Sequence, residues 1–326
     1  GFSIGSNTGI TLSASQARGN ADGTDQTYRN THLAAGNRLT LTSGGDTTLK
    51  GAAAKAHQIQ ASISGDLHIE SVQDQSHFES KQKSAGGSLT IGAGVSGSLN
   101  LGKSKAKSDY LSVQEQSGFF AGDGGFQVNV QGDTTLVGGA ITSTQAAIEQ
   151  GLNSLSTRTL KTSDLQNHAY ASASSSGVSL SSDLAKQGKY GIAKTAIGNA
   201  LTAGKESGAS TGHTRSVISG AAIAITDEAA QIDRTGMDIT QTLASLNQDG
   251  ASAHTAASRQ DAGAMQREAQ AAFEIKQTTF TELTKQTDEI YKKKLDASTR
   301  RGAPTSPKFM QVTCNANTKE CLNDPK

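Results

Sequence analysis

Tryptophan is absent from this 326-residue chain, aromatic residues make up only 4% of it, and hydrophobic residues 34%. A thick globular core cannot be filled from so little, least of all at a mean hydropathy of -0.44. Stacked coils need only a narrow apolar interior, so they stay in play. Proline is confined to Pro304, Pro307 and Pro325. Its absence from everything before them suits a body of hydrogen-bonded ladders, where proline would remove a donor. Cysteine is as scarce: Cys314 and Cys321, in "CNANTKEC", either close a short disulfide loop or stay unpaired, and both remain open. Neither sign of charge dominates, since 30 Lys and Arg against 29 Asp and Glu leave +1. Bulk charge therefore offers no footprint for nucleic acid or anionic lipid. Apolar runs are short, the longest lying around "GAAIAI", and neither a signal peptide nor an initiating Met is present. The sequence reads as a piece of a longer chain.

What the chain does have is alternation. In "GFFAGDGGFQVNVQGDTTLVGGAITS", residues 118–143, apolar side chains recur at Phe126, Val128 and Val130, the period of a strand with one face inward. Gly132-Asp133 interrupts, Thr135-Leu136 resumes, and Gly138-Gly139 interrupts again before Ala140-Ile141-Thr142. Three short extended pieces with glycine corners make one turn of a solenoid. Sustained alternation of this kind also argues against disorder.

The pattern recurs. "GNRLTLTSGGDTTLKGAAA" at 36–54 repeats the order of residues 124–142, with an identical Gly-Asp-Thr-Thr-Leu starting at Gly45 and Gly132. Between them "SGDLHIES", "GGSLTIGAG" and "SGSLNLGKS" place apolar residues two apart: Leu67 and Ile69, Leu89 and Ile91, Leu99 and Leu101. Each predicts a further rung, with Leu49 and Leu136 pointing inward. The expected organisation is a repeat region over 1–171, a Ser/Ala/Gly-rich loop or weakly helical excursion over 172–215, and a terminal strand pair over 216–226. Beyond Asp227 the period becomes helical, with Ile239, Leu243 and Leu246 spaced by four and three. Phe273, Phe280, Leu283 and Ile290 keep an approximate heptad seam, which predicts a packing face within a helical extension over 227–300. A break at "NQDGASAH", 247–254, suggests that this extension loosens without unfolding the coils. Residues 301–326 form a Pro/Cys-containing tail.

Several motifs tempt and fail. "GAGVSG" at 92–97 satisfies GxGxxG, yet a strand pattern follows where a dinucleotide site needs a helix N-terminus. "GASTG" at 208–212, with His213 beside it, matches GxSxG, but no alternating βα pattern surrounds Ser210. Asp46, Asp123 and Asp133 lack the nine-residue recurrence that shared calcium cages require, and read as turn residues. The histidines, His57, His68 and His77 among them, never adopt HxxxH spacing. No catalytic, cofactor-binding or metal residue is assigned, no cofactor is expected, and the chain is read as non-enzymatic.

The run "SLTIGAGVSGSLNLGKSKAKSDYLSVQEQSGFFAGDGGFQVNVQGDTTLVGGAITST", followed by "LSTRTLKTSDLQNHAYASASSSGVS", resembles the haemagglutinin repeat region of large two-partner-secretion exoproteins. These include the filamentous haemagglutinins and the effectors of contact-dependent growth inhibition. The resemblance covers most of residues 1–226, and the order "QSGFFAGDGGF", "GDTTLVGG", "TLKTSDLQNHA" is specific to it. It implies a mainly β fold, a right-handed parallel β-helix, here with a C-terminal helical extension similar to the segment that precedes a toxin. It also implies secretion through a dedicated outer-membrane transporter to the surface of a Gram-negative bacterium, with transient periplasmic residence. The implied partners are that transporter, a target-cell outer membrane or envelope protein, and a C-terminal toxin outside this chain, with no nucleic acid. Delivery or scaffolding for the toxin is the first reading and an adhesin the alternative. The lack of cysteine in residues 1–313 agrees with threading through a transporter, which a preformed disulfide loop would hinder.

Overall fold

The computed structural model describes residues 2–5, 9–92, 95–181, 203–299, 312–314 and 321–323. The chain divides into two compact units, Gly1–Glu274 and Ile275–Lys326.

The first unit is mainly β. Three registers run side by side through the parallel part. On one face His32, Ala53, Gly118, Ala140 and Val217 stack in a column. On the next Leu41, Ala61, Val128, Leu155 and Ile223 do the same, and on the third Leu49, Ile69, Leu136 and Thr162. Each pass of the chain over the three faces thus lies in parallel register on the pass before it. The period-two pattern causes this: Phe126, Val128 and Val130 are buried while Gln127 and Asn129 between them are exposed. Phe119, Phe126, Ile59, Ile63, Leu67, Ile69, Leu136, Ile141, Leu155, Leu160 and Ile218 are fully buried, giving a narrow apolar core. Leu49 and Leu136 point inward as the sequence predicts, at 5% and 0% exposure.

The corners explain the Gly-Asp repeats. Asp46 accepts a hydrogen bond from the Asp66 amide at 2.9 Å, and Asp66 accepts one from the Asp133 amide at 2.8 Å. Asp133 in turn accepts from the Thr159 hydroxyl at 2.8 Å and from Arg158 at 2.6 Å. Each carboxylate therefore satisfies a donor on the coil stacked against it. The preceding glycine makes room: a Cβ on Gly132 would sit 2.2 Å from the Asp66 carboxylate. A second corner closes the coil. At Gly138, and at its equivalent Gly51, the backbone has φ of 56° and 60°, a left-handed conformation that favours glycine, and the chain passes directly into the next coil.

At every second passage of that corner the chain leaves the stack instead. After Glu70 it makes a long antiparallel pair, Gln73–Gly92 with Val95–Val113, and returns at Gly118. After Ser163 it makes another, Leu165–Ser181 with Gly204–Thr214, and returns at Val217. Together with Gly9–Gln26, these strands form one antiparallel sheet. The uniformly parallel solenoid expected over residues 1–171 is corrected here, because the sheets are mixed. Leu89, Ile91, Leu99 and Leu101 are not rungs but lie on the first hairpin, exposed. The Ser/Ala/Gly-rich stretch 172–215, expected as loop or weak helix, is strand over 172–181 and 204–214; residues 182–202 lie outside the described set.

The arrangement keeps step by arithmetic. Two coils advance about 9.6 Å along the stack, and the two strands of a hairpin advance the same distance across a sheet. Serines clamp the hairpin roots: Ser71 accepts from the Ser117 amide at 2.9 Å and donates to the Gly138 carbonyl at 2.7 Å. Ser216 donates to the Ser163 carbonyl at 2.7 Å, and its amide binds Asp164 at 2.9 Å.

Four helices lie among the described residues. α1 (Gln145–Glu149) sits within a coil. α2 (Glu228–Thr235) and α3 (Ile239–Ser245) start at Asp227 and Asp238, each capping a backbone amide three residues on, and Asp238 forms a capping box with Gln241. They close the stack. Gln231 of α2, fully buried, accepts from the Leu160 amide at 2.7 Å and donates to the Leu160 carbonyl at 2.9 Å, pairing a side-chain amide with the last strand of its sheet. Ile239, Leu243 and Leu246 pack against the core. Of the helical extension expected over 227–300, residues up to Glu274 belong to the first unit and those from Ile275 on to the second. α4 (Ala262–Thr299) packs its first turns on one face of the antiparallel sheet, where Ala262 and Ala269 meet Ala106, Ala171 and Ala173. Phe273 packs where Gly177 leaves space, but Leu283 and Ile290 of the expected seam are exposed, and the side chain of Phe280 lies outside the description. Within the second unit Val312–Cys314 pairs antiparallel with Cys321–Asn323, setting Cys314 opposite Cys321.

Candidate interaction surfaces

None of the tempting motifs assembles a reactive site among the described residues. Ser210 accepts from the Ser258 amide at 2.9 Å on one side of its strand. His213, an odd number of residues on, projects to the other side and binds the Ser252 carbonyl at 3.1 Å. Gly92 ends one antiparallel strand and Gly97 lies in the next, with residues 93–94 outside the described set. Asp123 accepts from the Thr144 hydroxyl at 2.7 Å, at the start of α1. His68 binds Glu70 at 3.1 Å and His77 binds Asp109 at 2.5 Å, while His57 is exposed.

Carboxylate pairs tie neighbouring coils. Burial works against ionisation of Glu70, but hydrogen bonds from His68 and Lys50 outweigh it and hold its pKa below the ordinary value. Glu115 is held down in the same way, burial being overcome by His32 and Lys55. His254 moves for one main reason, burial, which lowers its pKa. Its Nε2 faces the Gln114 carbonyl at 3.4 Å and so donates, leaving Nδ1 to accept from the Thr214 hydroxyl at 2.9 Å. The neutral ring fits that position.

Two surfaces stand out. The first is a groove of about 550 Å³ on the outer side of the coils, lined by Thr40, Thr42, Gln60, Ser62, Gln127 and Asn129 among others. Gln60 donates to Gln127 across it at 2.9 Å. The second is the antiparallel sheet's face opposite α4. Direct pairing places Leu12 with Leu89, Leu101 with Val178, Lys83 with Lys103 and Lys81 with Lys105, all on that one face. Lys105, Lys107 and Lys205, with Ser172, Ser174 and Ser207, line a depression of about 330 Å³. Glu79 lies between Lys81 and Lys107 at 2.7 and 3.3 Å, and their hydrogen bonds lower its pKa. A net charge of +1 hid this band, because the sequence total does not say which residues share a face.

Coils that repeat with a hairpin at every second turn define a repeat protein, with no reactive centre among its described residues. Comparison with known proteins says which. Residues 1–85 and 78–156 match the hemagglutinin repeat family, so each match covers about the length of one two-coil and hairpin unit. The chain is 39% identical over 236 residues, 71% of its length, to the tRNA nuclease CdiA of Yersinia mollaretii. It is 39% identical over 227 residues, 68% of its length, to toxin CdiA of Escherichia coli. A third relative, the deoxyribonuclease CdiA of Dickeya dadantii, is 41% identical over 184 residues, 56% of this chain and 5% of the relative. The matched region spans only 8% and 7% of the first two relatives. No solved structure matches the chain. The chain belongs to the hemagglutinin-repeat region of CdiA-type two-partner-secretion exoproteins.

Proposed function

We propose that this chain is a non-enzymatic scaffold and delivery segment of a secreted contact-dependent growth-inhibition effector. Its parallel coils are read as a right-handed β-helix that extends by whole units of two coils and one hairpin. The observation that carries the reading is the matched advance of coils and hairpin strands, which lets units add without limit while keeping both layers in register. Such a body projects cargo from a surface and needs no chemistry of its own. The toxin lies outside these residues, and the nuclease activities named for the relatives belong to those proteins. The remaining partners are the outer-membrane transporter and the target-cell envelope, and the setting is the surface of a Gram-negative bacterium with transient periplasmic passage. The cysteine-free stretch 1–313 supports export as an unfolded thread.

The test is made in the full exoprotein. Residues 118–216, one whole unit, are removed so that residue 117 joins Val217, which occupies the same column as Gly118. With secretion and cell binding intact, toxin entry into target cells should fall sharply. Entry at wild-type level would overturn the delivery reading, and loss of binding alone would transfer the weight to an adhesin.

A further inference from the structure

We propose that the open face of the antiparallel sheet docks on a bilayer surface bearing phosphate headgroups. Its aliphatic end enters the acyl boundary and its lysine band lies among the headgroups. The inference deepens the reading of an envelope-delivery segment by naming a surface, although the sheet alone carries it.

The first observation is an inversion of polarity along the sheet. Near the coils its packed face takes the small apolar residues under α4, as expected of an antiparallel sheet with one face covered. At the far end the pattern reverses. There the side facing as α4 does carries hydroxyls, with Thr11 bonded to Thr90 at 2.9 Å and Ser88 to Ser98 at 2.7 Å. The open side carries Leu12, Leu89, Ile91, Leu99, Leu101 and Val178, between 38% and 50% exposed. Register places them together from four adjacent strands, so they form one patch rather than scattered surface residues.

The second observation is what borders the patch. Two residues beyond Leu101, about 7 Å along the strand, comes Lys103, followed on the same face by Lys105 and Lys107, with Lys81, Lys83, Arg18 and Lys205 beside them. Among the described residues, the carboxylates on that face are Glu79, already engaged by Lys81 and Lys107, and Asp22 and Asp109, with Asp109 held by His77. Lys103, Lys105 and Lys205 take no part in these pairs, and the serine-lined depression lies between the latter two.

Charge decides the occupant. A second copy laid face to face would set lysine against lysine. A soluble polyanion would satisfy the lysines but leave the aliphatic end in water. A bilayer with anionic headgroups offers apolar and phosphate zones within about 5–10 Å of depth, the scale on which the face changes from leucine to lysine.

The experiment sediments the purified chain with vesicles of phosphatidylcholine alone and of phosphatidylcholine mixed with phosphatidylglycerol, at matched ionic strength. Binding to the mixed vesicles and little to the neutral ones is expected. A Lys103→Glu, Lys105→Glu, Lys205→Glu variant and a Leu89→Ser, Leu99→Ser, Leu101→Ser variant should each lose it by about tenfold or more, with unchanged circular dichroism and thermal midpoint. Equal binding by either folded variant would overturn the proposal. So would displacement by inorganic phosphate but not by chloride of equal ionic strength, which would indicate a free-anion site. Concentration-dependent dimerisation abolished by the leucine variant, without vesicle binding, would assign the face to a second copy instead. Vesicle binding does not depend on toxin entry, so this test and the unit-deletion test fail separately.

Discussion

Leu136 and Leu89 carry the same local pattern, a leucine in a short alternating run after a glycine, and end in opposite environments. Period two encodes that a residue is in a strand with sided exposure; it does not encode what the strand pairs with. Leu136→Asp should therefore cost about 4 kcal/mol or more by burying a carboxylate among aliphatics, whereas Leu89→Asp should cost about 1 kcal/mol or less. Chemical denaturation of the two variants checks this, and equal losses would mean that the hairpin assignment is wrong. His254 gives a pH signature. Because burial lowers its pKa below 6.5, the unfolded chain binds the proton more readily than the folded one. Its contribution is present above pH 6.5 and is lost as the pH falls from there through the lowered folded value. The thermal midpoint should fall over that window, and His254→Gln, which keeps a donor and an acceptor without the titration, should flatten part of the fall.

At the scale of elements, the coil strands were legible and the hairpins were not. Gly-Asp corners at Gly45, Gly65 and Gly132 mark passages between coil faces, and the gap between the last two is where the chain leaves the stack. That gap was the available signal: no such corner interrupts residues 73–113, although their leucines alternate. Glycine at 51 and 138 marks the direct passages, while Ser71 and Asp164 stand where hairpins begin. The capping role of Gln231 had no signal, because its value lies in reaching the Leu160 backbone from 71 residues away. Gln231→Ala should cost about 2–4 kcal/mol by stranding that buried amide and carbonyl. It should also raise self-association, since it uncovers an edge strand. Light scattering beside a denaturation curve reads both; a variant as stable and as monomeric as the parent would show that the cap is dispensable.

For the whole molecule, the two layers are linked by a count: two coils for every two hairpin strands. The family resemblance was legible in the residues and pointed to a β-rich repeat region, but the antiparallel layer follows from spacing between distant strands, which no local window contains. The same spacing explains why hairpins at every passage, or at every third, would shear one layer against the other by about 4.8 Å or more per unit. The direct measurement is amide hydrogen exchange on two insertions. One duplicates residues 32–117, a whole unit, between residues 117 and 118; the other duplicates residues 118–139, one coil. The whole-unit insertion should unfold in a single transition, with Leu165–Ser181 as protected as in the parent. The one-coil insertion should lose protection in that strand and unfold at a lower temperature. If the single coil is accepted with full protection there, coils and hairpins are not coupled in pairs, and the account of the repeat is wrong.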